Sequence, residues 1–386
     1  MSWSVAAAVF RKETVEALRD HRTVLVALLL PAILMPTLTV ALPALAERQR
    51  RARESAAVVV AVEGETADLL EAAGGIRSVR VPDPEAALEA GTVDAVLRAE
   101  PVGGGIRRVV VLYDRTRPGS VVARARVQQA LAAATQAHVR RRLAEAGLAE
   151  AALVALAVSE RDVAGRARSG QLLLAGVLPF VVVLWAVLGG QHAALDTGAG
   201  EAERQTLELL LATPAPRAAI AAGKFLAVWT TALAAVAMVV ASTVAGLWAG
   251  ARLPLGLPPV SLAVPPAAAA ALVLLAVTVV AFLSAVQLAL SLLARSVRQA
   301  QQYFTPVYLL VSLPALAAPV LDGWEKAAWA YLVPGLGTVF ASRGLLLGTL
   351  PPAWLALAVL SPAAGALVGL AASARLLGRE EALFRA

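Results

Sequence analysis

Six stretches of this chain run for more than twenty residues without Asp, Glu, Lys or Arg: Thr23–Ala46, Ser169–Leu195, Phe225–Ala251, Leu253–Leu293, Gln299–Leu321 and Gly344–Ala374. About 20 apolar residues suffice to cross a bilayer as a helix, so the pattern predicts a mainly α, polytopic membrane protein with six transmembrane helices. The fourth stretch is too long for one crossing. It opens with LPLGLPPVSLAVPP, which reads as an interfacial loop, and its helix then runs from about Ala267 to Ala294. Before the last span, YLVPGLGTVFASRGLLLGTLPP spaces Pro and Gly closely and predicts a short re-entrant or interfacial element. Non-helical backbone at membrane depth survives only where protein or water satisfies it, which places Pro334–Gly348 beside a central cavity or its outer lid.

The map that follows has spans at residues 24–46, 169–195, 223–250, 267–294, 302–321 and 351–375. An N-terminal segment, 1–23, precedes them and a tail, 376–386, follows. Short loops occupy 196–222, 251–266, 295–301 and 322–350. Residues 47–168 are of another kind. AAVVVAV, VDAVLRA and RRVVVLY read as strands, PDPEAALEAG as a short helix, and SVVARARVQQALAAATQAHVRRRLAEAG as a long basic helix. Strands alternating with helices predict an α/β domain inserted between the first two spans.

Charge orients the map. Cytoplasmic loops collect Lys and Arg. With the N-terminus inside, the inner segments hold Arg11, Lys12, Arg19 and Arg22, then Arg204, Arg217 and Lys224, then Arg295 and Arg298, then Arg375, Arg379 and Arg385. The short outer loops hold only Arg252, Lys326 and Arg343. Both termini are therefore expected in the cytoplasm of a multi-pass protein of the inner or plasma membrane, and the α/β domain outside. ERQRRARE, just past the first span, runs against this pattern, but large translocated domains are partly exempt from it. The first span lacks a small-residue cleavage site and reads as a retained anchor.

Composition agrees: 59% hydrophobic residues, 16% charged and a mean hydropathy of +0.72. The net charge of +7 is explained by loop arginines and gives no reason to invoke nucleic acid. The chain has no cysteine, and its three histidines (His21, His138, His192) lie far apart, so neither thiol chemistry nor a metal centre is expected. Gly223-Lys224 is the single Gly-Lys pair, and it lacks the glycine and hydroxyl spacing of a nucleotide-binding loop. The spans carry no ionisable residue at mid-membrane, which disfavours an ion-coupled carrier.

Two features remain. Polar uncharged residues occur inside spans: Ser284, Gln287 and Ser291 on one face of the fourth, Gln302 and Tyr303 at the start of the fifth. They serve either as interhelical hydrogen-bond partners or as the lining of a substrate path. In the loop after the second span, GEAERQTLELLLATP places Glu201, Arg204, Gln205 and Glu208 at helical spacing, with Leu207, Leu210 and Leu211 opposite. That predicts one continuous helix supported by Glu201–Gln205 and Arg204–Glu208 pairs. An acidic stripe suits a basic protein surface better than an anionic leaflet, so the helix is read as a docking element. FRKETVEALRDHRT, with Phe10, Thr14, Ala17 and Leu18 in register, reads as an amphipathic cytoplasmic helix or as a plain anchoring flank.

ALDTGAGEAERQTLELLLATPAPRAAIAAGK resembles the signature of permease subunits of type-2 ABC exporters, especially the NatB-like branch. The matching positions are Ala194, Asp196, Glu201, Glu203, Arg204, Thr206, Leu207, Glu208, Leu210, Leu211, Thr213, Pro214, Arg217, Gly223 and Lys224. The start (FRKETVEALRDHRTVLVALLLPAILMP) and the end (GREEALF) extend the resemblance. Gln205 stands where that family often has glycine, a change expected to leave the helix intact. The resemblance implies a homodimer or a pair of related subunits, and a separate cytoplasmic ABC ATPase that carries the ATP and Mg, leaving this chain with no cofactor and no enzymatic activity. It also implies that Glu201–Leu211 is a coupling helix in a cleft of that ATPase, with Phe10–Thr23 a connecting helix beside it. Glu201, Glu203, Arg204, Thr206 and Glu208, with Arg11 and Arg19, become the expected docking residues. Substrates in such relatives range over sodium, drugs, lipids and peptides. The alternatives are a membrane-anchored sensor or scaffold with a ligand-binding outer domain, and a secondary carrier.

Overall fold

A computed structural model of the chain describes residues 3–42, 44–45, 48–49, 52, 57–63, 75–101, 107–147, 166–252, 264–318, 321 and 323–378. The chain divides into two compact units, Met1–Pro43 with Val163–Ala386, and Ala44–Asp162.

The larger unit is helical. α1 covers Trp3–Arg19 and α2 covers residues 21–41, where α turns alternate with π turns at Leu25–Leu29 and Thr37–Ala41. Pro31 and Pro36 lack the amide hydrogens that a regular α ladder needs, which accounts for the irregular winding. Of the elements after the smaller unit, α5 covers Arg166–Leu195, α6 Glu201–Glu203, α7 Thr206–Leu211, α8 Arg217–Arg252, α9 Pro266–Leu293, α10 Val297–Ala317, α11 Leu336–Leu347 and α12 Pro352–Leu377. Among the described residues, four segments are long and apolar enough to cross a membrane: Leu174–Glu203, Arg217–Gly250, Pro266–Leu293 and Pro352–Leu377. α2 and α10 lie at the first and fifth apolar stretches and fall outside that set. α10 opens with the polar run VRQAQQY, and α2 is the segment interrupted by π turns.

α9 packs along α12, α8 along α5 and α1, and α5 also touches α9 and α11. Their shared core contains Val183 and Ala186 of α5, Ala235 and Val239 of α8, Leu275, Val279 and Leu283 of α9, and Phe340 of α11. Close approach of α5 and α8 requires Gly189: a Cβ there would lie 2.4 Å from that of Ala235. Small residues at such crossings are how helices associate where lipid offers no hydrophobic drive. The Pro/Gly-rich segment before α12 forms two 3-10 turns, Trp324–Lys326 and Ala328–Leu332, and then α11, whose residues Leu336–Ser342 are buried. It is packed protein, which satisfies the condition for irregular backbone among membrane helices.

The smaller unit holds a four-stranded sheet in the order β2-β1-β3-β4, with β1 at Val58–Glu63, β2 at Ile76–Val79, β3 at Ala95–Pro101 and β4 at Arg107–Tyr113. β1 pairs parallel with both β2 and β3, and β3 pairs antiparallel with β4. α3 (Pro84–Glu89) and α4 (Pro118–Glu145) cover its two faces: Ala123 and Val127 of α4 pack on Val58, Val60 and Leu97, while Leu88 meets Ala61 and Val96. Alternating side chains of β1 thus feed two cores, as a period of two demands. β2 is only four residues long, too short for the alternation to announce.

Candidate functional site

The site is the elbow between α5 and α8. α5 runs on into a π turn, Asp196–Gly200, then α6; the chain breaks at Gln205 and resumes as α7. Gln205 has φ 58° and ψ 18°, the left-handed conformation, and is the one non-glycine with positive φ among the described residues. That corrects the expectation of one continuous helix over Glu201–Leu211. Glycine adopts this conformation freely, whereas a side chain raises its energy. With the helix broken, the Glu201–Gln205 and Arg204–Glu208 pairs do not form. Arg204 Nη2 instead meets Asp196 Oδ1 at 2.6 Å.

Behind the elbow lies a buried ionic cluster. Lys224 of α8 is fully buried, yet each of its three ammonium hydrogens has a partner: Glu13 Oε1 at 2.9 Å, Glu201 Oε2 at 2.6 Å and the Thr197 carbonyl at 2.8 Å. Glu201 also accepts from Lys12 at 2.5 Å, and Glu13 accepts from the Thr197 hydroxyl and, at 3.3 Å, from Lys12. Two lysines balance the two buried glutamates, with exposed Glu16 a further partner of Lys12 at 3.5 Å, and the buried groups are saturated, the condition under which buried charge is tolerated. Burial pushes the Glu13 carboxyl up, but Lys224, the Thr197 hydroxyl and Lys12 outweigh it and hold the group below its usual range. For Lys12, partial burial disfavours the charge, and Glu201, Glu13 and Glu16 overcome it and raise the pKa.

These bonds tie α1, the π turn, α6 and α8 together. α1 can lie this close because Gly223 has no side chain: a Cβ there would sit 2.7 Å from the Ala6 carbonyl and Val9 Cβ. The buried face of α1 is therefore Ala6, Val9 and Glu13, not the expected Phe10, Thr14, Ala17 and Leu18 stripe, although Thr14, Ala17 and Leu18 do line a groove toward α2 and α8. On the other side, the Ala199 amide donates to Ser291 of α9 at 2.9 Å, and Glu203 Oε2 accepts from the Val297 amide at the start of α10. Leu207 and Leu211 bury against Ile220, Leu288, Leu292 and Leu377.

The expected docking residues thus separate. Glu201 is 4% exposed and faces into the chain, a correction to its reading as part of an outward polar stripe. Glu203 is exposed but holds the end of α10; Thr206 donates from its hydroxyl to the Glu201 carbonyl at 3.3 Å. Arg204, Gln205 and Thr206 are exposed, Glu208 is half-buried, and Leu209 is 73% exposed. Arg11 and Arg19 lie on the open side of α1. Of the expected pathway residues, Ser284, Gln287 and Ser291 are buried along α9, while Gln302 and Tyr303 sit on the exposed face of α10 and do not join them. Gln287 donates to the Val187 carbonyl at 2.6 Å, and the Ser284 hydroxyl finds no partner among the described residues.

Sequence reasoning missed Glu13, Lys12 and Thr197. The available signal was an acidic residue in register with two small apolar ones (Ala6, Val9), facing a Gly-Lys pair.

A bundle of apolar helices, four of them long enough to cross a bilayer among the described residues, defines a polytopic membrane protein. The chain belongs to the ABC-2 family transporter proteins, whose family pattern matches residues 7–351. It is similar to the ABC transporter permease protein NatB of Bacillus subtilis (strain 168), with 27% identity over 360 residues that cover 89% of this chain and 90% of NatB. It is accordingly the membrane subunit of an ABC transporter.

Proposed function

We propose that this chain is the permease of an ATP-driven exporter, with six spans, both termini cytoplasmic and the Ala44–Asp162 unit outside. Two copies, or two related subunits, enclose the substrate path. The ATPase docks on the exposed face of the elbow, at Arg204, Gln205, Thr206 and Leu209, flanked by Arg11 and Arg19 of α1. Movement of the docked ATPase displaces the elbow, and the displacement tilts the spans between inward and outward access.

The observation that carries this reading is the contrast between the two sides of the elbow. Its inner side is fixed to α1, α8, α9 and α10 by the Lys224 cluster, Ser291 and Glu203. Its outer side exposes Leu209, a leucine set among polar groups on a segment outside the apolar core. The free face of the elbow thus joins an apolar side chain to exposed Arg204, Gln205 and Thr206, the mixed apolar and polar make-up of a protein-docking surface. Leu209→Asp, at a side chain that touches nothing buried, should abolish co-purification of the ATPase while leaving the thermal midpoint of the permease unchanged. Undiminished co-purification would refute the docking face. Glu201→Lys should behave differently, lowering the midpoint itself, because it places a third cation beside Lys12 and Lys224.

A further inference from the structure

We propose that β4 is the seam at which the smaller units of two copies of this chain join, four strands from each, into one continuous sheet. β4 is an edge: it pairs with β3, and among the described residues nothing pairs with its other side. An open edge presents free amides and carbonyls to any extended chain, and proteins that keep an edge single blunt it with brevity, charge or proline. β2, at the opposite edge, is blunted in this way. It has four residues, and Arg77 and Ser78 stand exposed in its middle. β4 is seven residues long, and from Val109 to Tyr113 it carries no charge, proline or glycine. Those five residues are half-buried, whereas Val60 and Ala61 of β1 and Val96 and Leu97 of β3 are fully buried. The core of the unit therefore reaches the surface along β4.

The strand is complementary to itself, which singles out a second copy as the occupant. Arg108 is exposed near its start, Asp114 follows its end, and the stretch between them is apolar. In an antiparallel pair with a two-fold axis at Val111, Arg108 of each copy stands opposite Asp114 of the other. Val109 then faces Tyr113, and Val110 faces Leu112. Glu100 already stands opposite Arg108 on β3, so the seam extends an acid–base–acid row across the sheet. A parallel pairing in register would set Arg108 on Arg108, and like charges directly opposite are destabilising. An axis at Val110 would set Arg108 on Leu112. Opposed residues share a face of the sheet, so each core continues across the seam. Val109 and Val111 pack with α4, and Tyr113 accepts from Arg124 of that helix at 3.1 Å; Leu112 packs on the other face, with Leu88 of α3.

The full chain has no cysteine, so introduced thiols read the seam directly. Opposite residues of an antiparallel pair have Cα atoms about 4.5–5.5 Å apart, within the span of a disulfide. In membranes treated with a mild oxidant, most of Val111→Cys should run as a dimer on a non-reducing gel. Val109→Cys stands about 14 Å from its own counterpart across the seam. Alone it should stay monomeric, yet it should cross-link to Tyr113→Cys in a second, differently tagged copy. Ser78→Cys, on the blunted edge, should stay monomeric. The seam is overturned if neither link forms, or if Val109→Cys joins itself as readily as Val111→Cys does, which is the mark of random collision. A link at Val110→Cys in place of Val111→Cys overturns the register drawn from Arg108 and Asp114. The seam rests on the pairing of two copies, one of the two assemblies proposed above, and not on ATPase docking. Differently tagged copies that co-purify without cross-linking would keep that pairing and move it away from β4.

Discussion

Gln205 shows how much one backbone conformation decides. At φ 58° its side chain adds steric cost without compensating contact, for it is exposed and caps α7 with no side-chain hydrogen bond. A left-handed L-residue costs on the order of 1 kcal/mol, partly offset by the backbone entropy that glycine gives up on folding. Gln205→Gly is therefore expected to stabilise the elbow by about 0.5 kcal/mol, and Gln205→Val, branched at Cβ, to destabilise it by about 1–2 kcal/mol. Thermal midpoints of the two variants should move in opposite directions. If both fall equally, the turn is not what limits this position. Lys224 makes the complementary point about side chains. Buried and triply bonded, it cannot be exchanged for Arg without loss, because a planar fork does not fit three acceptors arranged around one ammonium.

Among elements, the informative one is α1, whose docking on α8 is written in charge as well as packing. Glu13 has a folded-state pKa below its usual 4.5, so its contribution to stability is full above that value and is lost as pH falls through the lowered one. Lys12 has a pKa raised above 10.5, so its contribution is full below 10.5 and is lost only as pH climbs past it. The expected profile is a plateau between these limits with a fall on the acid side. Glu13→Gln should lower the plateau and flatten the acid fall; a parallel, unflattened fall in that variant would assign it to other carboxylates. This cluster was not legible in the sequence. Glu13 and Lys224 are 211 positions apart, and an amphipathic reading of α1 assigns any carboxylate to the wet face. The long apolar runs and the Glu-x-Glu-Arg to Thr-Pro motif were legible, because span length and local motif are properties of neighbours. The break at Gln205 was hidden for the opposite reason: good helix formers flank it, and tertiary contacts of Leu207 and Leu211 override their preference for continuity. Glu201 was misplaced by the same local logic, since helical spacing groups it with Arg204 and Glu208, and only the fold reveals Lys12 and Lys224 behind it.

For the whole molecule, what matters is on which side of the membrane each unit stands. The proposed arrangement puts the elbow and the β-sheet unit on opposite faces, and the chain's own composition supplies a clean test. It contains no cysteine, so each introduced thiol reports on one position alone. Ala212, exposed just after α7, and His138, exposed on α4, are suitable sites because neither packs into a core. With a membrane-impermeant maleimide, His138→Cys should be labelled in intact cells, or in spheroplasts where an outer membrane intervenes, and Ala212→Cys only after permeabilisation. The lysines and arginines of the short loops lead to this result through the cytoplasmic preference of positive charge, whereas ERQRRARE, followed by the sheet unit, pulls the other way. Labelling of both positions from outside would mean that the α5–α8 hairpin is not crossed as proposed. Reversed labelling would mean that ERQRRARE outweighs the loop charges, and the elbow could then meet no cytoplasmic ATPase.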